Sequence, residues 1–197
     1  MRYMATALII LTGAVILVGC SDSREVQEDT GINVSQVTLP PTISYNQAIQ
    51  VCNLTNLTHI TLKNYDGRWE WSLTFAENGL IYHCRIDAKS GKVISTEGMN
   101  LPNLPNIQPP TPIPLKKIKI DEHAAFKAAI KNEEVVKWLT LHKNASIDRI
   151  SLESSPKVTL WRIAWADESS FAVLMVAVNA TSGELISVRG ASFGGLK

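Results

Sequence analysis

One ten-residue stretch occurs twice in the chain, and this repetition constrains the fold more than any other feature. Residues 86–95 (IDAKSGKVIS) align with residues 178–187 (VNATSGELIS), and five of the ten positions are identical. Upstream, Trp69 precedes the first copy by the same distance as Trp161 precedes the second. Internal similarity at one fixed offset is the signature of a duplicated structural unit. The sequence therefore predicts two repeats of similar structure.

Each repeat begins with a helix signal and continues as alternating strands. Ser44 and Asp121 are favourable N-cap residues, which predict helices over 45–54 and from 122 to about 142. In the first repeat, strands are expected at about 57–63, 68–75, 80–87 and 92–97, separated by turns that contain glycine. The predicted fold class is α+β, with two repeats that each pack one helix on a three- to four-stranded antiparallel meander sheet.

The segments outside the repeats have distinct compositions. Residues 99–117 contain six prolines, which favours an extended spacer over a recognition ligand of the P-x-x-P type. The expected organisation is a signal peptide at 1–19, a polar tether at 20–41, repeat 1 at 42–98, the proline-rich linker at 99–117 and repeat 2 at 118–197. Such a spacer would let the two repeats separate.

The N-terminal segment resembles a bacterial lipoprotein signal peptide. A short apolar run ends in Leu17-Val18-Gly19-Cys20, with Arg2 supplying the positive charge before it. The resemblance implies that Cys20 carries lipid, palmitate included, and that the mature chain is anchored in a membrane outside the cytoplasm. Ser21 follows the cysteine, which favours an outer membrane position facing the periplasm in a Gram-negative cell. The alternative is an ordinary secretory signal with a chance cysteine.

The net charge is +1, so nothing in the composition attracts nucleic acid, and none is expected as a partner.

If Cys20 is lipidated, Cys52 and Cys84 remain as a pair in an oxidising compartment. Cys52 lies on the apolar stripe of the first helix, and Cys84 is in phase with the core side of its strand. A Cys52–Cys84 disulfide is predicted, with two buried free thiols as the alternative.

The helix followed by a meander that ends in Asp-Ala-x-Ser-Gly-x-Val resembles the PepSY domain. Residues 86–93 match that ending, and residues 178–185 match it with Asn179 in place of Asp. PepSY domains occur in propeptides of thermolysin-like peptidases, so the resemblance implies a non-catalytic protein- or peptide-binding module that inhibits or modulates a peptidase. Together with the lipoprotein signal, this predicts a lipid-anchored module that acts on an envelope peptidase. The alternative is a structural or scaffolding envelope lipoprotein without a peptidase partner.

The search for catalytic groups finds one arrangement of interest. Pairing the expected strands through their turns places His59, Ser72 and His83 in one row on the outer face of the sheet. Neither histidine has a carboxylate to orient it or a third ligand nearby, and His123 and His142 are expected to have no partner. We therefore expect no catalytic residues, no metal site, no cofactor and no enzymatic activity.

The second repeat differs from the first on the face turned away from its helix. That face is apolar, whereas the corresponding face of the first repeat is polar. Such a surface is either covered or binds a partner. One explanation is that the first repeat or residues 192–197 cover this face. The other is that the face binds a partner through Leu160, Ala164, Phe171, Val173 and Met175.

Overall fold

The structure is a computed structural model and describes residues 38–40, 42–77, 79–100 and 111–192. These residues belong to one compact unit. The described helices are α1 (Tyr45–Cys52), α2 (Glu122–Ile130) and α3 (Glu133–Leu141), with a 3-10 turn at Leu115–Lys117. The described strands are β1 (Leu57–Tyr65), β2 (Arg68–Glu77), β3 (Leu80–Asp87), β4 (Val93–Asn100), β5 (Ser146–Ser154), β6 (Thr159–Asp167), β7 (Ala172–Asn179) and β8 (Leu185–Ser192).

All eight strands form a single antiparallel sheet in the order β4-β3-β2-β1-β5-β6-β7-β8. The first strands of the two repeats pair with each other, with Ile60 opposite Leu152 and Leu62 opposite Ile150. The predicted fold of two repeats, each with its own meander sheet, is therefore wrong. An isolated four-stranded meander would leave the backbone groups of its first strand unpaired, and the β1–β5 ladder satisfies both of those edges at once. The proline-rich linker consequently does not hold two separable bodies apart.

The two halves of the sheet are related by an approximate twofold axis that passes between Thr61 and Ser151, which lie opposite each other in the β1–β5 ladder. The indole N–H of Trp71 donates to the Ile43 carbonyl at 2.9 Å. In the second repeat, the indole N–H of Trp161 donates to the Ile120 carbonyl at 3.0 Å. Each tryptophan thus ties the sheet to the residue that precedes a helix N-cap.

These contacts correct the alignment of the repeats, because Trp71 and not Trp69 corresponds to Trp161. Trp71 lies opposite Ile86 in the β2–β3 ladder, and Trp161 lies opposite Val178 in the β6–β7 ladder. The connection from β6 to β7 is two residues longer than the connection from β2 to β3. An alignment of the two repeats without a gap is therefore wrong by two positions for all residues that precede this connection.

The helices pack on one face of the sheet and enclose a single core. Buried side chains on this face include Trp71, Phe75, Trp161 and Trp165, and both repeats contribute to the same cluster. Side chains on the opposite face are mostly partly exposed, and among the described residues no helix packs over them. We call this surface the open face.

The expected long helix from 122 to about 142 is divided into α2 and α3. The first ends at Ile130, and Asn132 caps the second, since its Oδ1 accepts from the backbone N–H groups of Glu134 and Val135 at 3.0 and 3.3 Å. Asn followed by two glutamates is a helix start signal, and it overrides the continuous apolar periodicity across this point. In the described part of the chain, no helix is long and apolar enough to cross a membrane.

The hairpin registers differ from the predicted ones by two residues. Asp66 and Gly67 have φ values of 51° and 87° and form a two-residue turn, so Tyr65 lies opposite Arg68. Two-residue turns of this type match the twist of the flanking strands, which is why they replace the longer turns that the sequence suggested. As a result, His59 and His83 both lie opposite Thr74, not Ser72.

The predicted disulfide is present. Cys52 at the end of α1 is bonded to Cys84 in β3, with the two Cα atoms 6.2 Å apart. Cys84 is completely buried in the core. The bond fastens the helix of the first repeat to the sheet beneath it.

Candidate functional site

Four of the five residues predicted to bind a partner lie on the open face of the second repeat. Leu160 and Ala164 belong to β6, and Val173 and Met175 to β7, where Ala164 lies opposite Met175. Phe171 instead occupies the β6–β7 loop, where it is 70% exposed and has a φ of 51°. The structure therefore groups the first four residues and places Phe171 at the end of the hairpin.

The first repeat does not cover this apolar surface. Because the repeats join edge to edge through β1 and β5, their open faces lie side by side in one sheet. The explanation that the second repeat docks its apolar face against the first is therefore wrong. The other explanation is that residues 192–197 cover the apolar surface. Of these, 193–197 lie outside the described residues.

A groove of about 490 Å³ crosses the open face where the repeats meet. We call it the junction groove. Strands β1, β5, β6 and β7 contribute to it, so it lies over the approximate twofold axis and extends towards the second repeat. Its polar wall contains His59, Thr61, Lys63, Arg149, Ser151, Glu153 and Arg162, and its apolar wall includes Ala164 and Met175.

Cations outnumber anions in the junction groove. Arg162 Nε lies 2.5 Å from Glu153 Oε2, so this carboxylate already has a partner. Lys63 lies directly opposite Arg149 in the β1–β5 ladder. The Lys63 ammonium is 5.1 Å from the centroid of the Tyr65 ring. Three permanent cations therefore share the groove with one carboxylate.

His59 contributes no charge to the groove at neutral pH. Burial lowers the pKa of its imidazole, and this outweighs the opposing influence of Glu153. Its Nε2 lies 2.6 Å from the Thr61 hydroxyl. His83, the other histidine of the predicted row, has its Nδ1 3.2 Å from the Thr74 hydroxyl. Both histidines are thus hydrogen-bond partners of threonines on the open face.

The polar part of the open face in the first repeat is organised around Glu70. Its carboxylate is completely buried, and guanidinium nitrogens of Arg68 and Arg85 each lie 2.5 Å from one of its oxygens. Asp87 instead accepts from the backbone N–H and the hydroxyl of Ser90 in the following turn. The two guanidinium groups share one carboxylate, so Glu70 is fully occupied and the cluster keeps a net positive charge.

The expectation that His123 and His142 have no partner is wrong for both. His123 Nδ1 lies 3.4 Å from Glu122 Oε1. His142 lies at the C-terminal end of α3. Its Nδ1 lies 3.2 Å from Asp167 Oδ2 and 3.1 Å from the Ser170 hydroxyl, and its ring stacks on Trp138 at 4.2 Å. Hydrogen bonds from Ser169 and Ser170, followed by that of His142, hold the pKa of Asp167 well below its usual range. The Asp-x-Ser-Ser sequence in the β6–β7 loop was the signal that could have revealed this cluster.

The His142 cluster does not have the geometry of a nucleophilic triad. In a triad the carboxylate and the nucleophile bind opposite nitrogens of the imidazole, whereas Asp167 and Ser170 both contact Nδ1 here. The arrangement instead fastens the C-terminal end of α3 to the β6–β7 loop. Within the described residues, no group of three histidine, cysteine or acidic side chains could hold a metal ion.

Cys20, the predicted lipidation site, lies outside the described residues.

No family model and no curated protein matches the sequence. A solved structure of a putative lipoprotein from Clostridium difficile 630 is similar over 81% of this chain and 100% of its own, with 15% identity and a TM-score of 0.64. This similarity shows a shared fold. A DUF2874 family protein from Bacteroides ovatus ATCC 8483 aligns over 76% of this chain and 89% of its own, with 12% identity and a TM-score of 0.27, which is too low to support an argument.

Proposed function

We propose that this chain is a lipid-anchored, non-catalytic protein of the cell envelope that binds a protein or peptide on the open face of its sheet. The observation that carries the proposal is the asymmetry of that sheet. Its helices cover one face, whereas the other face presents an apolar surface in the second repeat beside a cationic groove. Apolar patches bordered by polar residues are typical of interaction sites.

Two observations support the lipid anchor. Leu17-Val18-Gly19-Cys20 ends a short apolar segment in the way that lipoprotein signals do. The protein of similar fold from Clostridium difficile 630 is itself described as a putative lipoprotein. Anchoring through Cys20 would place the sheet outside the cytoplasm, where the Cys52–Cys84 disulfide is stable. An outer membrane position facing the periplasm is the finer expectation for a Gram-negative source.

The class of partner that we favour is an envelope peptidase, which the chain would inhibit or modulate. This rests on the resemblance of residues 86–93 and 178–185 to the ending of the PepSY domain. In the structure these two segments are equivalent turns: Gly91 donates to the Asp87 carbonyl, and Gly183 to the Asn179 carbonyl. The runner-up is a scaffolding lipoprotein that binds another envelope component.

The anchor is tested by labelling cells with radioactive palmitate. The wild-type chain should take up label and fractionate with membranes, and a Cys20→Ser variant should do neither. Label that persists in the variant would refute this part of the proposal.

The binding face is tested by crosslinking the full chain in its native membranes and identifying what is captured. A Val173→Lys/Met175→Asp variant should fold and lose its partner. The matched control is Val51→Lys/Leu141→Asp, which places the same two charges at exposed positions on α1 and α3. The peptidase role is supported if the wild type and the control variant capture a peptidase and the Val173→Lys/Met175→Asp variant does not. The scaffolding role is supported if only non-proteolytic envelope components are captured. Unchanged capture by a folded Val173→Lys/Met175→Asp protein would refute the open face as the binding surface.

A further inference from the structure

We propose that the junction groove recognises an extended acidic peptide segment. One carboxylate side chain of the ligand would lie between Lys63 and Arg149, and an apolar side chain about three residues away would lie against Ala164 and Met175. The inference rests on the proposed function and specifies the chemistry of the partner at that surface.

The first argument is the pairing of two cations across the central ladder. Lys63 and Arg149 are cross-strand neighbours, and like charges at such positions repel each other. Within the described residues, Lys63 has no carboxylate at ion-pair distance, and Arg149 has only Asp148, whose Oδ2 is 3.8 Å from its Nε. An incoming carboxylate would lie between the two and remove the repulsion.

The second argument is that the neighbouring groups cannot neutralise this pair. Glu153 is bound to Arg162, and the Ser151 hydroxyl donates to Glu153 as well. Glu70, which lies opposite Lys63 in the β1–β2 ladder, is already paired with Arg68 and Arg85. His59 adds neither a positive nor a negative charge at neutral pH, because burial lowers the pKa of its imidazole. The groove therefore retains an excess of positive charge in a depression that is shielded from part of the solvent, where charge complementarity contributes most to recognition.

The third argument concerns spacing. The cations stand on β1 and β5, whereas Ala164 and Met175 stand on β6 and β7. Strands in a sheet are ~4.8 Å apart, so the centres of the two pairs are separated by two intervals, or ~9.5 Å. A peptide in the extended polyproline II conformation advances ~3.1 Å per residue with three residues per turn, so side chains three residues apart share one face and are ~9.3 Å apart. A ligand of the form Glu-x-x-Leu would satisfy both ends of the groove.

The experiment titrates the full-length chain, in micelles of a neutral detergent, with fluorescent eight-residue peptides and follows their anisotropy. The probe contains Glu-x-x-Leu, and its matched controls contain Gln-x-x-Leu and Glu-x-x-Ser. We expect the probe to bind at least tenfold more tightly than either control. Its affinity should fall as sodium chloride is raised from 50 to 500 mM, since the Debye length shortens from ~14 to ~4 Å in that range.

The site is assigned by two variants with equal loss of charge. Lys63→Gln/Arg149→Gln should weaken binding of the acidic probe at least tenfold, whereas Lys127→Gln/Lys131→Gln, on the helical side, should leave it unchanged. Equal affinity for the glutamate and glutamine peptides, or equal affinity of the two variants for the probe, would overturn the inference. In either case loss of the native partner in the Val173→Lys/Met175→Asp protein would still support the proposed function.

A competing occupant is the chain's own tether, which contains Asp22, Glu25, Glu28 and Asp29. Neutralising these four residues to Asn and Gln should leave the affinity for the acidic probe unchanged if the groove serves a partner. An affinity that rises in this variant would assign the groove to the tether and overturn the inference.

Discussion

Tyr45 of α1 packs edge-on against Trp161 of β6, with the ring centroids 5.4 Å apart and the ring planes at 75°. The two residues belong to different repeats, so the helix of the first repeat covers part of the sheet of the second. Together with the β1–β5 ladder, this contact makes one core out of two duplicated units. The repeats are therefore separate units of sequence and local structure, but they share one core and should unfold together.

Tyr45→Ala should destabilise the whole chain. The side chain is buried, and removal of a large aromatic group from a core costs about 3–5 kcal/mol. We expect chemical denaturation to remain a single transition that shifts to lower denaturant, when followed by both tryptophan fluorescence and circular dichroism. Tyr65→Ala, at an exposed position, is the control and should shift the midpoint much less. Two separate transitions would contradict a shared core.

The second repeat should not be stable and monomeric on its own. A fragment of residues 118–197 would expose the edge of β5 and would lose the contact of Tyr45 with Trp161. Unprotected strand edges associate with other edges. We expect the fragment to be unfolded or self-associated in sedimentation experiments, and a folded monomer with the thermal stability of the full chain would refute the expectation.

Reduction of the Cys52–Cys84 disulfide should lower stability without removing the fold. The bond joins residues separated by 32 positions, and closing a loop of that length contributes about 3–4 kcal/mol in the chain-entropy model. A Cys52→Ala/Cys84→Ala variant should show this loss in urea denaturation and should be insensitive to reductant. Two free thiols in the unreduced, unfolded wild type would show that the bond does not form.

Glu122→Gln should raise the melting temperature at pH 7. The Glu122 side chain is fully buried, and neither of its oxygens has a hydrogen-bond partner in the described part of the chain. Its nearest charged neighbour is the exposed imidazole of His123, whose Nδ1 lies 3.4 Å from Glu122 Oε1. Burial raises the pKa of this carboxyl group. Its position in the first turn of α2 favours the charged form by only ~0.3–1 kcal/mol, which is less than the cost of burying a carboxylate that accepts no hydrogen bond.

The sign of the pH dependence follows from that raised pKa. The native state retains the Glu122 proton at a pH where the unfolded chain has lost it, so the wild type loses stability as the pH rises from about 4.3 through the folded pKa. The gain from Glu122→Gln should therefore be present at pH 7 and nearly absent at pH 4. Glu133→Gln, in the exposed first turn of α3, is the control and should give no gain at either pH. A destabilised Glu122→Gln protein at pH 7 would disprove the prediction.

Asp167→Asn should destabilise the chain in the opposite pH range. Ser169, Ser170 and His142 hold the pKa of Asp167 well below its usual value, so its ionised form stabilises the native state above about pH 4. That contribution is lost as the pH falls from there through the folded pKa. The variant should melt below the wild type at pH 7, with the difference shrinking as acid is added. Glu168→Gln, in the same loop, should have little effect; equal effects of the two changes would contradict the role of Asp167.

Local features of the fold could be predicted from the sequence, whereas the assembly of the sheet could not. Alternation located the strands, and the apolar stripe that carries Cys52 correctly paired this residue with Cys84. The pairing of β1 with β5 is invisible to periodicity, because a half-buried strand has the same alternation at an edge as at the centre. The registers were wrong by two residues because the length of a turn, and not its composition, sets the pairing of its strands.

The same limits applied to the candidate site. The apolar set on β6 and β7 was predicted because alternation alone assigns side chains to faces. The junction groove was not, because Lys63 and Arg149 come together only through the β1–β5 ladder. The partners of His142 were missed for a similar reason, since Asp167 ends strand β6 and only the folded chain brings it to the end of α3.

The β1–β5 ladder also has a consequence for the order of folding. Six of the seven ladders join strands that are consecutive in the chain, whereas Ile60 and Leu152 must find each other across the linker and two helices. Closing such a loop is entropically costly and slow. We expect the two meanders to form first and the middle of the sheet last. Until then the free edges of β1 and β5 would be exposed, so the centre of the native sheet is the place where a nascent chain is most open to mispairing.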